Sequence, residues 1–312
     1  MVLVDRFGRP LLKLRISVTT RCNLRCFYCH MEGQRPARDE MTAEEIERVA
    51  RVAARLGVRW IKLTGGEPLL REDIYEIVER LSRIRGVEDV SLSTNGVLLA
   101  DLAEELARAG LSRVNVSLDT LDPEKYKAIT GVDAHEKVIE GIKAAVRAGL
   151  RPVKVNMVLL KGINDSELWD MIDFCRRIGA ALQIIELVPT PTKPSPWFTR
   201  YHADLSRVEE ELAREALLVS VRSAQRRRRY LLRGGIEVEI VRPFHNSDFC
   251  MHCVALRLTA DGKLKPCLMR NDNLVDVLGP LRRGASDKEI AQLIKLANSL
   301  REPFYRPPKG NA

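Results

Sequence analysis

Two alternating periodicities constrain this chain more than any other feature. Six short β-branched runs, at residues 12–18, 60–64, 90–93, 114–118, 153–159 and 182–188, are separated by longer stretches of helical period. The helical stretches begin at Thr42, Asp73, Asp101, His135 and Ser166, and Thr42 with Glu45 three positions on forms a capping box. Strands joined by helical crossovers run parallel, and six of them make an open portion of a barrel rather than a closed one. The expected class is therefore α/β, a partial (β/α)6 TIM-like barrel, whose ligands gather at the C-terminal edge of the strands. Four prolines from Pro189 to Pro196 interrupt the pattern, so residues 1–190 are expected to form the barrel and 191–312 a smaller C-terminal domain.

A chain of 312 residues buries enough surface to stand without disulfide or metal staples, so its seven cysteines call for another explanation. No run of eighteen apolar residues and no apolar leader is present, which points to a cytoplasmic protein without a membrane partner. In that reducing compartment, tight cysteine clusters read as metal or cluster ligands. Cys22, Cys26 and Cys29 are spaced C-x3-C-x2-C directly after the first strand. Three thiolates hold an iron–sulfur cube with one iron left open, whereas a zinc site would be completed by His30. Cys250, Cys253 and Cys267 form a second trio, open to the same two readings with His252 or His245 as the zinc-completing ligand. Cys175 stands alone in a helical pattern and reads as a core residue. The formal charge of +9 favours an anionic partner, but the run Arg226–Arg229 lacks interleaved aromatics and reads as a solvated face with no assigned role.

The segment from Cys22 to Cys29, with Tyr28 before the last cysteine, resembles the signature of the radical S-adenosylmethionine superfamily, in which the open iron is chelated by S-adenosylmethionine. Thr64-Gly65-Gly66-Glu67-Pro68 after the second strand resembles the segment that binds the methionine part of that molecule. Both trios together, with Leu14–Val18, Asn115–Gly131, Lys161–Asp165 and Leu256–Cys267, resemble the GTP 3′,8-cyclase family of molybdenum cofactor biosynthesis over nearly the whole chain.

That resemblance implies a lyase with two [4Fe–4S] clusters that converts GTP into (8S)-3′,8-cyclo-7,8-dihydroguanosine 5′-triphosphate. The radical takes the 3′ hydrogen, the carbon radical adds to guanine C8, and the second cluster holds the guanine; no protein side chain is expected to act as acid, base or nucleophile. By position, Tyr28, Gly66, Ser117 and Val188 would contact S-adenosylmethionine, and Arg15, Lys62, Ser93, Lys154 and Arg257 would face GTP. Partners implied are GTP and an electron donor, with no nucleic acid; a homodimer is compatible with the sequence. This chain departs from the family pattern at several positions. Ala255 and Lys62 replace arginines, Ser93 a threonine and Val188 a methionine, and the chain ends Gly310-Asn311-Ala312 in place of a Gly-Gly tail. The alternatives are another radical S-adenosylmethionine enzyme of the peptide-modifying maturase type, and a non-enzymatic zinc and nucleic-acid binding protein.

Overall fold

The computed structural model describes residues 2–189 and 196–306. Most of the proline-rich boundary and the Gly310–Ala312 terminus lie outside the described residues. The strands are β1 (Lys13–Ser17), β2 (Trp60–Thr64), β3 (Asp89–Thr94), β4 (Arg113–Ser117), β5 (Val153–Leu159) and β6 (Ala181–Glu186), followed by β7 (Ala216–Val221), β8 (Arg228–Leu232), β9 (Glu237–Val241), β10 (Ala255–Leu258), β11 (Lys263–Lys265) and β12 (Val275–Asp276). Between the first six lie helices α1 (Ala43–Arg55), α2 (Ile74–Ser82), α3 (Leu99–Arg108), α4 (Pro123–Thr130), α5 (His135–Arg147) and α6 (Leu168–Ile178).

All six expected strands form, and they pair in parallel in chain order. The region beyond residue 196 then extends the same sheet at both ends. Strand β10 pairs in parallel with β1, and β9 in parallel with β6, so the parallel portion is wider than six strands. Antiparallel β11–β12 and β8–β7 continue the sheet outward from these two edges. Sequence position and sheet position thus part company: the sheet runs without a break across the division at residue 190.

Each parallel strand has two unlike faces. Leu14 and Ile16, Ile61 and Leu63, Val114 and Val116, Leu182 and Ile184, Val238 and Ile240, and Leu256 and Leu258 are buried in one apolar core. That core includes Ile46 and Val49 of α1, Ile77 of α2, Leu106 of α3 and Ile142 of α5. The intervening residues point the other way, because successive side chains alternate across a strand. They are mostly polar or charged.

Helix α1 keeps the expected capping box, with the Thr42 side chain accepting from Glu45 N and the Glu45 side chain from Thr42 N. Helix α4 was not anticipated, although Asp122 accepts from the N–H groups of Glu124 and Lys125, Pro123 opens the first turn and Gly131 closes it at φ 73°. At the C-terminal edge of the strands the loops are stitched together. The Gly66 N–H donates to the Thr19 carbonyl at 2.8 Å, and a Cβ on Gly66 would lie 2.1 Å from the Arg21 carbonyl oxygen. The buried Glu67 carboxylate accepts from Leu69 N at 3.1 Å, the Thr94 hydroxyl at 2.6 Å and Asn95 N at 2.6 Å, tying the end of β2 to the end of β3. Gly66→Ala must therefore push apart two backbone segments, and it should destabilise the protein by about 2 kcal/mol or more. Thermal unfolding checks this, and an unchanged midpoint contradicts the close approach.

Candidate active site

The polar face of the parallel strands surrounds a cavity of about 310 Å³. Register sets its walls: Arg15 stands beside Lys62 on one side and Arg257 on the other, and Ser93, Asn115 and Lys154 follow in a row. All five side chains expected to face GTP line this one cavity, together with Val188 and the thiols of Cys250, Cys253 and Cys267.

Two carboxylates organise the cations. Glu32 accepts from Arg15 Nε at 3.0 Å and from Thr64 Oγ1 at 3.1 Å, and pairs closely with Arg15 Nη2 and Arg257 Nη1. Burial would raise the Glu32 carboxyl, but Arg15 and then Arg257 outweigh it and hold the group well below the usual carboxylate range. Glu239 receives Lys154 Nζ at 2.6 Å, Gln183 Nε2 at 3.0 Å, and Arg222 and Arg227 at 3.2 Å each. Burial raises its pKa, yet Arg227, Lys154 and Arg222 bring it down to about 2. Lys62 has no carboxylate within ion-pair distance among the described residues, and burial followed by Arg15 and Lys13 lowers its ammonium pKa well below the ordinary value. The Arg226–Arg229 run is a correction: Arg226 and Arg228 are exposed as expected, but Arg227 turns into the cavity. Strand alternation at β8 was the available signal.

The first trio lies on a loop that docks on the end of α4, where Arg25 N donates to Thr130 O at 2.8 Å and Phe27 N to Ile129 O at 3.1 Å. Backbone N–H groups of Leu24 and Met31 donate to the sulfurs of Cys22 and Cys29, both at 3.4 Å. Donors aimed at sulfur suit thiolate ligands of an iron–sulfur cluster. Among the described residues no three His, Cys, Asp or Glu side chains stand as ligands of a single metal ion. Three thiols per loop, with backbone N–H groups aimed at the sulfurs of the first trio, are a donor set that fits a cube with one open iron. His252 is engaged by Asp248, 3.0 Å away.

The second trio is braced from beneath. Arg301, fully buried, donates to Cys253 O at 2.5 Å, to Asn298 Oδ1 at 2.9 Å and to Arg9 O at 3.3 Å, and its nearest carboxylate is Asp5 at 3.5 Å. Arg9 pairs with Asp5 at 2.8 Å and donates to Cys250 O at 2.9 Å. Arg301 and Arg9 had no sequence signal for this role, because the groups they brace are backbone carbonyls of a distant loop.

The residues expected to hold S-adenosylmethionine are divided. Val188 lines the cavity, whereas Tyr28, Gly66 and Ser117 do not. Tyr28 donates its hydroxyl to Asp119, two residues beyond Ser117 at the exposed end of β4, and so ties the cysteine loop to that strand. Phe27 meets the Tyr28 ring edge-on at 5.6 Å. At Gly66 the neighbour a side chain would strike is backbone.

The pairing of a C-x3-C-x2-C loop with a parallel α/β barrel defines a class. The family model described as the Radical SAM superfamily matches residues 16–175, and the model described as Molybdenum Cofactor Synthesis C matches residues 180–306. A Pyrococcus abyssi protein named "Probable GTP 3′,8-cyclase" is 52% identical over 97% of this chain and 100% of its own length. One of the same name from Methanocaldococcus jannaschii is 49% identical over 97% of this chain and 99% of its own. The chain belongs to the GTP 3′,8-cyclase family of the radical S-adenosylmethionine superfamily. Among solved structures, Streptococcus suis SuiB bound to S-adenosylmethionine matches with a TM-score of 0.63 at 20% identity, covering 84% of this chain and 62% of that one. Native anSMEcpe with bound AdoMet matches at 0.64 and 16% identity, covering 91% and 81%. At these identities the likeness is one of fold.

Replacing Arg301 by methionine strips Asp5 and the Cys253 carbonyl of a buried donor. The expected cost is about 3–5 kcal/mol, accompanied by a fall of roughly half in the iron bound per chain as the second trio loses its brace. Denaturant unfolding and iron analysis of reconstituted protein check this; full iron content would contradict the bracing role.

Proposed function

We propose that this chain is a GTP 3′,8-cyclase that carries out the first step of molybdenum cofactor biosynthesis, with residues before about 190 serving S-adenosylmethionine and those after it serving the second cluster. The observation that carries the reading is the single cavity in which Arg15, Lys62, Ser93, Lys154 and Arg257 face the thiols of the second trio. Cationic side chains lining this cavity suit a triphosphate through charge-assisted contacts, and an open-cornered cluster held by the second trio suits a nitrogen or oxygen of guanine.

When bound, the first cluster and S-adenosylmethionine supply a carbon radical that removes a hydrogen atom from the substrate. Cys22, Cys26 and Cys29 hold that cluster, and Tyr28, Gly66, Ser117 and Val188 are assigned to its S-adenosylmethionine. Cys250, Cys253 and Cys267 hold the second. The remaining residues bind and orient. Arg15 and Arg257, both held by Glu32, and Lys154, held by Glu239, would bind and orient the triphosphate. The walls of the barrel keep water from the radical. The reading also requires an electron donor and a reducing compartment such as the cytoplasm, where the six clustered cysteines are kept from forming disulfides and available as ligands. Among the described residues, no helix is long and apolar enough to cross a membrane.

Anaerobic incubation with S-adenosylmethionine, a reductant and GTP should yield a cyclised nucleotide, measured by liquid chromatography and mass spectrometry. Cys22→Ala should abolish cleavage of S-adenosylmethionine, and Cys267→Ala should abolish the nucleotide product. Wild-type protein that cleaves S-adenosylmethionine but leaves GTP intact would overturn the substrate assignment.

A further inference from the structure

Lys13 was assigned no role, and its surroundings are unusual. It precedes Arg15 by two positions on the same face of β1, so both side chains line the cavity. Arg15, Arg113, Arg222 and Arg227 all act on it as like charges. Each of those arginines reaches an acid: Glu32, shared with Arg257, for Arg15, Asp89 for Arg113, and Glu239, shared with Lys154, for Arg222 and Arg227. Among the described residues Lys13 has no carboxylate within ion-pair distance. Burial, then Arg227 and Arg113, lowers its ammonium pKa to about 7, the condition of a cation kept without a counter-charge.

Register explains the space around it. Lys13 pairs across β1–β10 with Ala255, which also lines the cavity and carries only a methyl group. Across β1–β2, Arg15 pairs with Lys62, the other lysine of this wall without an acid. In a wall of paired arginines, two lysines without an acid hold their protons weakly, and an entering anion restores the ammonium form that burial and the neighbouring arginines disfavour. A compact, multiply charged anion is the chemistry that meets these two lysines together with the arginines.

We propose that Lys13, in the space left open by Ala255, is a polyphosphate-binding residue of this cavity, acting with Lys62 on the phosphates beyond the first. The assignment rests on GTP being the substrate. Lys13 reads the length of the phosphate chain: guanosine gains nothing from it, a monophosphate little, and a triphosphate most.

Calorimetric titration of anaerobically reconstituted holoenzyme with GTP, GMP and guanosine tests it. Lys13→Met should weaken GTP binding about tenfold, the equivalent of about 1.4 kcal/mol, with a smaller loss for GMP and the smallest for guanosine. Lys13→Arg, which keeps the charge, should recover most of the affinity. Ala255→Glu, which gives Lys13 an internal partner, should weaken GTP binding without removing the lysine, and it decides the question if Lys13→Met fails to fold. Equal losses for GTP and guanosine, or GTP affinity within twofold of wild type in Lys13→Met or Ala255→Glu, would overturn the proposal. Wild-type holoenzyme that does not bind GTP would instead sink the cyclase reading itself.

Discussion

Charge inside a barrel is the constraint to which the rest of this structure answers. Parallel strands covered on both faces usually carry apolar side chains on both. Here the outer rows are apolar and the inner rows carry Lys13, Arg15, Lys62, Arg113, Lys154 and Arg257. Unpaired charge in such a place costs several kcal/mol per ion. Glu32, Asp89 and Glu239 compensate part of it by direct ion pairs. The outward apolar rows supply the packing that holds the inner cations at fixed positions, so that the remaining surplus faces a cavity instead of relaxing into solvent.

The same economy joins the two cysteine trios. Met31, Glu32 and Gly33, immediately after the first trio, have φ of 49°, 52° and 65°. Left-handed backbone of this kind is strained for residues other than glycine, and it aims the Glu32 carboxylate back at Arg15 and Arg257. A Cβ on Gly33 would meet Leu268 O at 2.5 Å, which puts this turn in close contact with the residue following Cys267. The Gln34 side chain accepts from Ala260 N at 3.1 Å, and Met41 N donates to Ala260 O at 3.0 Å. The loop bearing one cysteine trio is thus packed on the loop bearing the other.

Much of this was legible in the chain. The alternation of periods marked the six strands, Thr42 and Glu45 marked the start of α1, and both trios stood out by spacing. Residues with local signals were readable even where missed, as α4 was despite its Asp-Pro opening and Gly131 close. What could not be read depends on partners remote in sequence. Strands β9 and β10 complete the parallel sheet only because they reach opposite edges of it, which no local pattern encodes. Arg301 serves backbone carbonyls and has no motif. The Glu67 carboxylate joins two strand ends and Gly66 allows two backbones to touch, contacts made with residues far away in the sequence. Lys13 was hidden for a different reason. Its alternation in Lys-Leu-Arg-Ile-Ser was visible, but the neighbour that gives it meaning, Ala255, lies at the far end of the chain.

The most direct measurement is the crystal structure of the anaerobically reconstituted protein with GTP. The account predicts density for the triphosphate against the cationic wall of the barrel, with the guanine turned toward the second trio. Nucleotide density on the outer face of the sheet, or a cavity in which guanine lies on the lysines and the phosphates reach toward the thiols, would contradict it.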